Sequence, residues 1–531
     1  VELSPPSNIY KLPSGCLSMV PNGGPVCTIR TGVTLKLDGV VVSGDEPIYS
    51  SPFGGLSVMP NGSPVGEFGG SGGGEQPYSA NIIYYPNTGL GTGSTIPPNA
   101  PPPAMVPFTF DKVHVFGDSI ADFSFNPVRV PNAAAALEGY LDSKHSLSVA
   151  ITSTATAGDN TADLAARVDA DLAAFADDSE VVCLNQIGMN DFLQNGDWSL
   201  LSQTVIDQFT ADTQYVSNAI SANSNRQLMA PITADGLFID SDPDNKVNEL
   251  ESTYLYNSNY KLQELQRVQP QYFYSAGKPM VNMYDYTRNQ YQTWLTDAVH
   301  PNDVDRWAYA LTLVDQVALL STATAPPEVT PRNYNDTPSS PAQAVDIVCS
   351  LGSSDDGGAA NINWFLRPNS SGAGYELKTS LINGDGSTAV GVSAYAWGGN
   401  VGNGGRGNSG NTTATLDNNQ LRTDYWFTPV SSSASVYAIV EGLEAGATYE
   451  ISMCASIAGV SSPLNVAVGL GDGIETGGLS DGNKQLDMDS VAITELTANV
   501  LADPYGRLFI TSIADNASNL SAISGFRVRS I

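Results

Sequence analysis

From Phe108 to about Leu320, short apolar runs alternate with longer segments of helical composition, and this rhythm constrains the fold more than any other feature of the chain. Val113–Phe116, Leu147–Ile151, Val181–Leu184, Gln227–Ile232 and Pro279–Tyr284 read as strands. Ala133–Leu141, Thr161–Phe175, Thr204–Ala222, Asn248–Gln269 and Asp303–Leu320 read as helices. Strands alternating with helices predict a parallel sheet covered on both faces. Such sheets hold ligands outside the carboxyl ends of their strands. The residues that follow each apolar run are therefore the first candidates for chemistry.

The first such position lies in Asp111–Asp122, DKVHVFGDSIAD, where Gly117-Asp118-Ser119 breaks the strand sharply. Gly117 lets the turn tighten without a Cβ clash, and a helix is expected after a short loop. Three further pieces follow in order. Gly158 lies in ATAGDNTADL at the mouth of a helix, Gly188-Met189-Asn190-Asp191 follows Val181–Leu184, and Asp297-Ala298-Val299-His300 precedes the helix at Asp303. A serine hydroxyl is a poor nucleophile near neutral pH and needs a base within hydrogen-bond reach. The chain has three histidines, and His300 alone sits in a DxxH. Asp297 can turn back to its Nδ1, fix the tautomer and stabilise the imidazolium. His114, inside the strand, reads as structural, and His145 has no partner visible in the sequence.

As an ordered set, the GDS, Gly, GxND and DxxH blocks resemble the SGNH/GDSL hydrolase family over about residues 108–325. The resemblance implies a flavodoxin-like three-layer α/β domain that hydrolyses esters through an acyl-serine, without a cofactor. It implies Ser119 as nucleophile, His300 as base and Asp297 as the acid that orients it. It assigns the oxyanion hole to the backbone N–H groups of Ser119 and Gly158 and the side-chain amide of Asn190. Donors of this kind act on the charge that develops at the carbonyl oxygen. Gly117, Asp118, Gly188 and Asp191 are expected to support the site, the two aspartates by bracing loops. Tyr284, Tyr286, Tyr291, Trp294 and Trp307 gather around the histidine block. Tyr291 and Trp294 are the candidate substrate contacts, with ordinary packing an equal alternative for the whole group. There is no apolar lid-like stretch, which favours an acylated polysaccharide, acetylated most simply, or a small ester over a lipid.

The flanks differ in kind. Residues 1–107 are rich in Gly, Pro, Ser and Asn and read as an extended, β- and turn-rich arm. Leu17–Val26 recurs as Leu56–Val65, each copy with a Pro-Asn-Gly turn core, which suggests a duplicated hairpin. Between the copies, Val33–Val42 alternates like a strand. Residues 326–344 are a linker by composition, and 345–531 change to a period of two. Val436–Val440, Thr448–Met453, Leu464–Val468, Leu508–Thr511 and Phe526–Val528 alternate, and Gly398–Thr413 reads as a long loop. This predicts an antiparallel β-sandwich that folds by itself from about Pro341. Glycan binding and oligomerisation are its two candidate roles, with Trp397 the first residue to test for sugar contact. The chain is thus read as multidomain.

Charge narrows the partners. The 531 residues carry 23 Lys and Arg against 54 Asp and Glu, a net charge of −31. That balance argues against nucleic acid and anionic membrane partners. No run of about 18 apolar residues is present, so no membrane insertion is expected. The start, VELSPPSNIY, has no basic segment followed by an apolar one and reads as no secretory leader. Five scattered cysteines form no disulfide framework, although Cys16 and Cys27 are close enough in sequence to pair, and Cys183 reads as a core residue. Neither cofactor nor metal is expected, because no ligand spacing occurs. Arm, hydrolase and sandwich together are similar in architecture to phage tail-spike or fibre-type esterases. On that analogy the arm docks to other chains of a larger assembly, the protein is a homo-oligomer, and it resides on a virion or outside the cell. A secreted carbohydrate esterase with an accessory domain, and a glycan-binding virion protein without turnover, are the alternatives.

Overall fold

The computed structural model describes the arm only as the backbone of short strands between residues 10 and 57. Beyond it, most of 106–193, 203–232, 276–287, 300–322, 343–352, 361–366, 374–402, 435–455, 494–513 and 521–531 is described, with isolated residues and short strands between. Residues 101–531 make one compact unit.

In the arm, β1 (Tyr10–Lys11) pairs with β2 (Leu17–Ser18), and β3 (Pro25–Thr28) with β6 (Pro47–Ser50), which also pairs with β7 (Leu56–Ser57). Both copies of the repeat therefore begin on a strand, Leu17-Ser18 and Leu56-Ser57. The alternating stretch between them is not one strand but a hairpin, β4 (Thr34–Leu37) and β5 (Val40–Ser43), in register Leu37↔Val40. In the sequence Asp38-Gly39 stands between them, the pair that tight hairpins favour. Cys16 and the Cys27 side chain lie outside the described residues, and with them the question of their pairing.

The alternating segment forms a five-stranded sheet from β8 (Lys112–Gly117), β9 (Ala150–Ser153), β10 (Val181–Gln186), β11 (Arg226–Ile232) and β12 (Met280–Asn282). Its order is β9-β8-β10-β11-β12 and every pairing is parallel. Successive residues of a strand face opposite sides of a sheet, and both sides are covered here. Val182 and Leu184 join one apolar cluster, Val181 and Cys183 the other. The first cluster includes α1 (Ser119–Phe125), α2 (Ala133–His145) and α7 (Asp303–Ala318). The second includes α3 (Thr161–Leu172) and α5 (Gln203–Ser221). Short helices α4 (Met189–Leu193) and α6 (Met283–Thr287) follow β10 and β12 directly.

Three boundaries differ from the sequence reading. No loop separates Ser119 from its helix, because Asp118 Oδ1 accepts the Ile120 N–H at 3.0 Å and starts α1 at the serine itself. The second strand begins at Ala150 rather than Leu147, since α2 runs on to His145 and Ser146 closes it in the left-handed region. Pro279–Tyr284 is a strand only to Asn282, where α6 takes over. The helix expected at Asn248–Gln269 lies outside the described residues, apart from Gln269.

Beyond residue 343 the pairings are antiparallel but for one edge pair. One sheet has five strands, with Asp346–Gly352, Gly525–Ser530 and Thr448–Ala455 at its centre. Another has six, including Ser393–Gly398, Ser435–Glu441 and Leu508–Ile513. The stretch expected to be one long loop from Gly398 contains a strand, Asn400–Gly402. The two larger sheets share a core in which Ile347, Ile451 and Val528 of the first meet Ala396, Ala438 and Ile510 of the second. The opposite face of the six-stranded sheet is also buried. Its Tyr395, Trp397, Tyr437, Ile439 and Phe509 join the cluster of α2 and α7. Trp307 of α7 stacks on Tyr437 at 4.4 Å between ring centroids, and Tyr395 Oη donates to Ala136 O at 2.6 Å.

Candidate active site

The chain leaves β8 to reach β9 on one side and β10 on the other, so the crevice at their carboxyl ends is the topological switch point of the sheet. Ser119 at the start of α1, Gly158 in the loop after β9 and Asn190 in the first turn of α4 all follow the carboxyl ends of these strands. Gly117 is required at the end of β8. A Cβ there would stand 2.3 Å from Gln186 O and 2.6 Å from Ala121 Cβ, which would force apart the ends of β8 and β10.

Ser119 and His300 are 181 residues apart in sequence, yet His300 Nε2 lies 2.8 Å from Ser119 Oγ. Residues singled out by no motif hold the imidazole there. Phe123, one turn along α1 from the serine, meets the His300 ring edge-on at 5.1 Å. Arg306 of α7 lies over the other ring of that pair, 4.9 Å from the Phe123 centroid, and donates from Nε to Pro301 O at 2.8 Å. The i, i+4 spacing of Ser119 and Phe123 on a helix was the sequence signal available for this contact. Asp297, Tyr291 and Trp294 lie outside the described residues.

Gly158 has φ +92°, a region that favours glycine. Next to it, Asp159 O accepts a hydrogen bond from Asn190 Nδ2 at 2.9 Å, so the glycine loop and the asparagine are held to each other. Asp191 accepts from Thr161 N at 3.1 Å and from Thr161 Oγ1, tying α4 to the start of α3. Gly188 takes φ +133°, and its carbonyl accepts the Asp191 N–H at 3.2 Å. Burial pushes the Asp191 carboxyl up to about 6, against the pull of Thr161.

Asp118 is fully buried, and burial pushes its carboxyl up to about 7 from an ordinary 3.8. The N–H groups of Ile120 and Met189 act the other way, and the nearby charges of Asp191 and Asp159 add to the rise. Oδ1 caps α1, while Oδ2 has no hydrogen-bond partner among the described residues. A carboxyl whose folded value is raised binds its proton more tightly in the native state, so stability is lost as pH rises from about 4 to about 7. Asp118→Asn removes that charge and keeps the acceptor. Its stability relative to the parent should therefore improve between pH 5 and pH 8, by at most about 3 kcal/mol at about 1.4 kcal/mol per pH unit. Thermal melts of both proteins at the two pH values test this; a difference that does not change with pH rules it out. His114 acts in the opposite sense, since burial, then Arg167 and Lys112, lower it to about 3, but it cancels between the two proteins.

His114 is structural: its ring nitrogens lie 2.8 Å and 3.0 Å from the Thr152 and Thr154 hydroxyls. His145 does have a partner, Asp315 Oδ1 at 2.7 Å, which lies 170 residues further along and was invisible to local inspection. Tyr286 and Trp307 are buried against the C-terminal sheet, so neither presents a face to a sugar. Trp397 is buried as well, which corrects its reading as a glycan contact. No group of three or more His, Cys, Asp or Glu among the described residues is placed to hold a metal ion.

Residues 113–306 match the family described as GDSL-like Lipase/Acylhydrolase. None of the curated proteins is significantly similar in sequence. Among solved structures, an acetyl xylan esterase, AlAXEase, is 18% identical, with 39% of this chain covering 99% of that one at a TM-score of 0.29. Axe2, an acetylxylan esterase from Geobacillus stearothermophilus, is 16% identical over 40% of this chain and 96% of its own, with a TM-score of 0.31. A lipase/acylhydrolase from Enterococcus faecalis is 15% identical over 39% and 96%, with a TM-score of 0.28. Through the family match, residues 113–306 belong to the GDSL-like lipases and acylhydrolases, and the chain is an ester-hydrolysing enzyme.

Proposed function

We propose that the chain removes acyl groups, acetyl most simply, from a polysaccharide through an acyl-serine intermediate. The observation that carries the catalytic part is the 2.8 Å approach of His300 Nε2 to Ser119 Oγ at the sheet's switch point. In this reading His300 takes the serine proton as Oγ attacks the ester carbonyl, and Asp297 orients the imidazole. The oxyanion is met by the N–H groups of Ser119 and Gly158 and by the amide of Asn190, held beside Gly158 by its bond to Asp159 O. The protonated imidazole then gives its proton to the leaving sugar oxygen, and water repeats the sequence to release the acid. The β9-β8-β10-β11-β12 order with helices on both faces supports a flavodoxin-like three-layer domain. The shared core of the two C-terminal sheets supports a β-sandwich.

The preference for carbohydrate rests on the sequence, which offers no apolar lid-like segment. Tyr291 and Trp294 remain the proposed sugar contacts. The duplicated strand-and-turn unit of residues 1–107 is proposed to dock the enzyme to other chains of a surface assembly, a virion appendage in the fullest version. Acetylated xylo-oligosaccharide, p-nitrophenyl acetate and a long-chain p-nitrophenyl ester, compared by kcat/KM, test the substrate class. The reading requires the acetyl esters to lead; preference for the long chain overturns it.

A further inference from the structure

His300 stands in the chain between α6, which ends at Thr287, and α7, which begins at Asp303. Its place opposite Ser119 therefore depends on where those two helices stand. Both are touched by one side chain from the C-terminal region. Arg507 Nη2 donates to Thr312 Oγ1 of α7 and reaches Tyr286 Oη of α6 at 3.5 Å. Tyr286 Oη in turn donates to Asp503 Oδ2 at 3.2 Å. The same carboxylate receives Arg507 Nε at 2.8 Å and Nη2 at 2.7 Å. Its other oxygen accepts the N–H groups of Tyr505 and Arg507. All four side chains, Tyr286, Thr312, Asp503 and Arg507, are buried. The rings of Tyr505 and Phe509 flank the guanidinium at 4.8 Å and 5.1 Å.

We propose that Arg507 is a positioning residue for the hydrolase: it fixes α6 and α7 relative to each other and so sets the reach of His300 to Ser119. This rests on the reading of those two residues as base and nucleophile. A buried ion pair contributes little net stability over an apolar pair of the same shape. What it supplies is direction. The planar guanidinium offers donors at fixed angles, and it directs them at Thr312 of α7 and Tyr286 of α6. Rates are sensitive to such placement, since about 1 Å of displacement far from the chemistry can cost on the order of a hundredfold.

The test leaves the Asp503–Arg507 pair in place and cuts its links to the helices, by Tyr286→Phe with Thr312→Val in the full chain. The second change also removes the bond from Thr312 Oγ1 to Ala308 O, and Thr312→Ser, which keeps both bonds, is its control. Activity on p-nitrophenyl acetate is scored per folded molecule, and the rate of Ser119 labelling by a small phosphonate is measured beside it. We expect kcat to fall about tenfold or more with KM within about twofold, and serine labelling to slow in proportion. Should the double variant fail to fold, Tyr286→Phe alone, which removes a single oxygen, is read the same way. A kcat per folded molecule within about twofold of the parent, with only the melting temperature lowered, overturns the proposal and leaves Arg507 a packing element. If Ser119→Ala itself costs nothing, the active-site reading falls first and this proposal with it.

Discussion

Ser119→Ala and His300→Ala should each lower kcat on small esters by roughly three orders of magnitude or more, and the double variant should be little worse than either. The near-equality is the sharper expectation. Members of a nucleophile–base pair act as a unit, so removing the second after the first removes nothing that still works. The 2.8 Å contact between Nε2 and Oγ is what makes them a unit. Neither change should unfold the protein, because Ser119 only opens α1 and the cap that starts the helix comes from Asp118. Asn190→Ala should cost on the order of a hundredfold through the oxyanion, with a further loss if the Gly158 loop shifts once the Asp159 contact is gone. Steady-state kinetics with circular dichroism on the same samples checks all four proteins. Turnover retained in Ser119→Ala would place the nucleophile elsewhere.

The site was legible because its blocks sit immediately after apolar runs, and a parallel sheet brings the carboxyl ends of its strands to one edge whatever lies between them. That is how residues as distant as Ser119 and His300 come within 2.8 Å of each other. Contacts set by tertiary packing were not legible. Arg306 lies over Phe123, which meets the imidazole, and Asp315 meets His145, and no local pattern announces either the arginine or the aspartate. Residue type alone leaves the aromatic residues open between sugar contact and packing for a related reason. Tyr286, Trp307 and Trp397 have the chemistry of sugar platforms, and only their burial between hydrolase and C-terminal sheet decides otherwise. One signal of that burial was available. The helix DVDRWAYALTLVDQVA has apolar residues around most of its circumference, leaving a narrow arc to Asp305, Thr312 and Gln316, and a helix of that kind belongs between two layers rather than at a surface. A β-sandwich joined by a free linker leaves such a helix uncovered.

Shortening the chain to residues 1–325 should therefore cost the hydrolase its fold, although every proposed catalytic residue remains. Tyr395, Trp397, Tyr437, Ile439 and Phe509 of the six-stranded sheet close the cluster over α2 and α7. Burying a large apolar side chain is worth about 1.5–3 kcal/mol, so these five account for about 10 kcal/mol of burial, as much as the whole stability of an ordinary domain. Polar losses come on top. Tyr140 Oη loses Glu441 at 2.6 Å and Lys144 loses the same carboxylate at 3.0 Å, while Tyr286 and Thr312 lose Arg507. The complementary fragment from about residue 341 is in a different position. Its two sheets keep their shared core, with Ile347, Ile451, Ala438 and Ile510 still enclosed. It should show a β-type circular dichroism spectrum and self-associate through the aromatic face it now exposes, as large bare apolar patches do. Size-exclusion chromatography and thermal melting of both fragments separate the cases. A monomeric 1–325 fragment that melts cooperatively and keeps the parent kcat on p-nitrophenyl acetate would show the sheet to be an ornament on a self-sufficient hydrolase, and Arg507 would lose its role along with it.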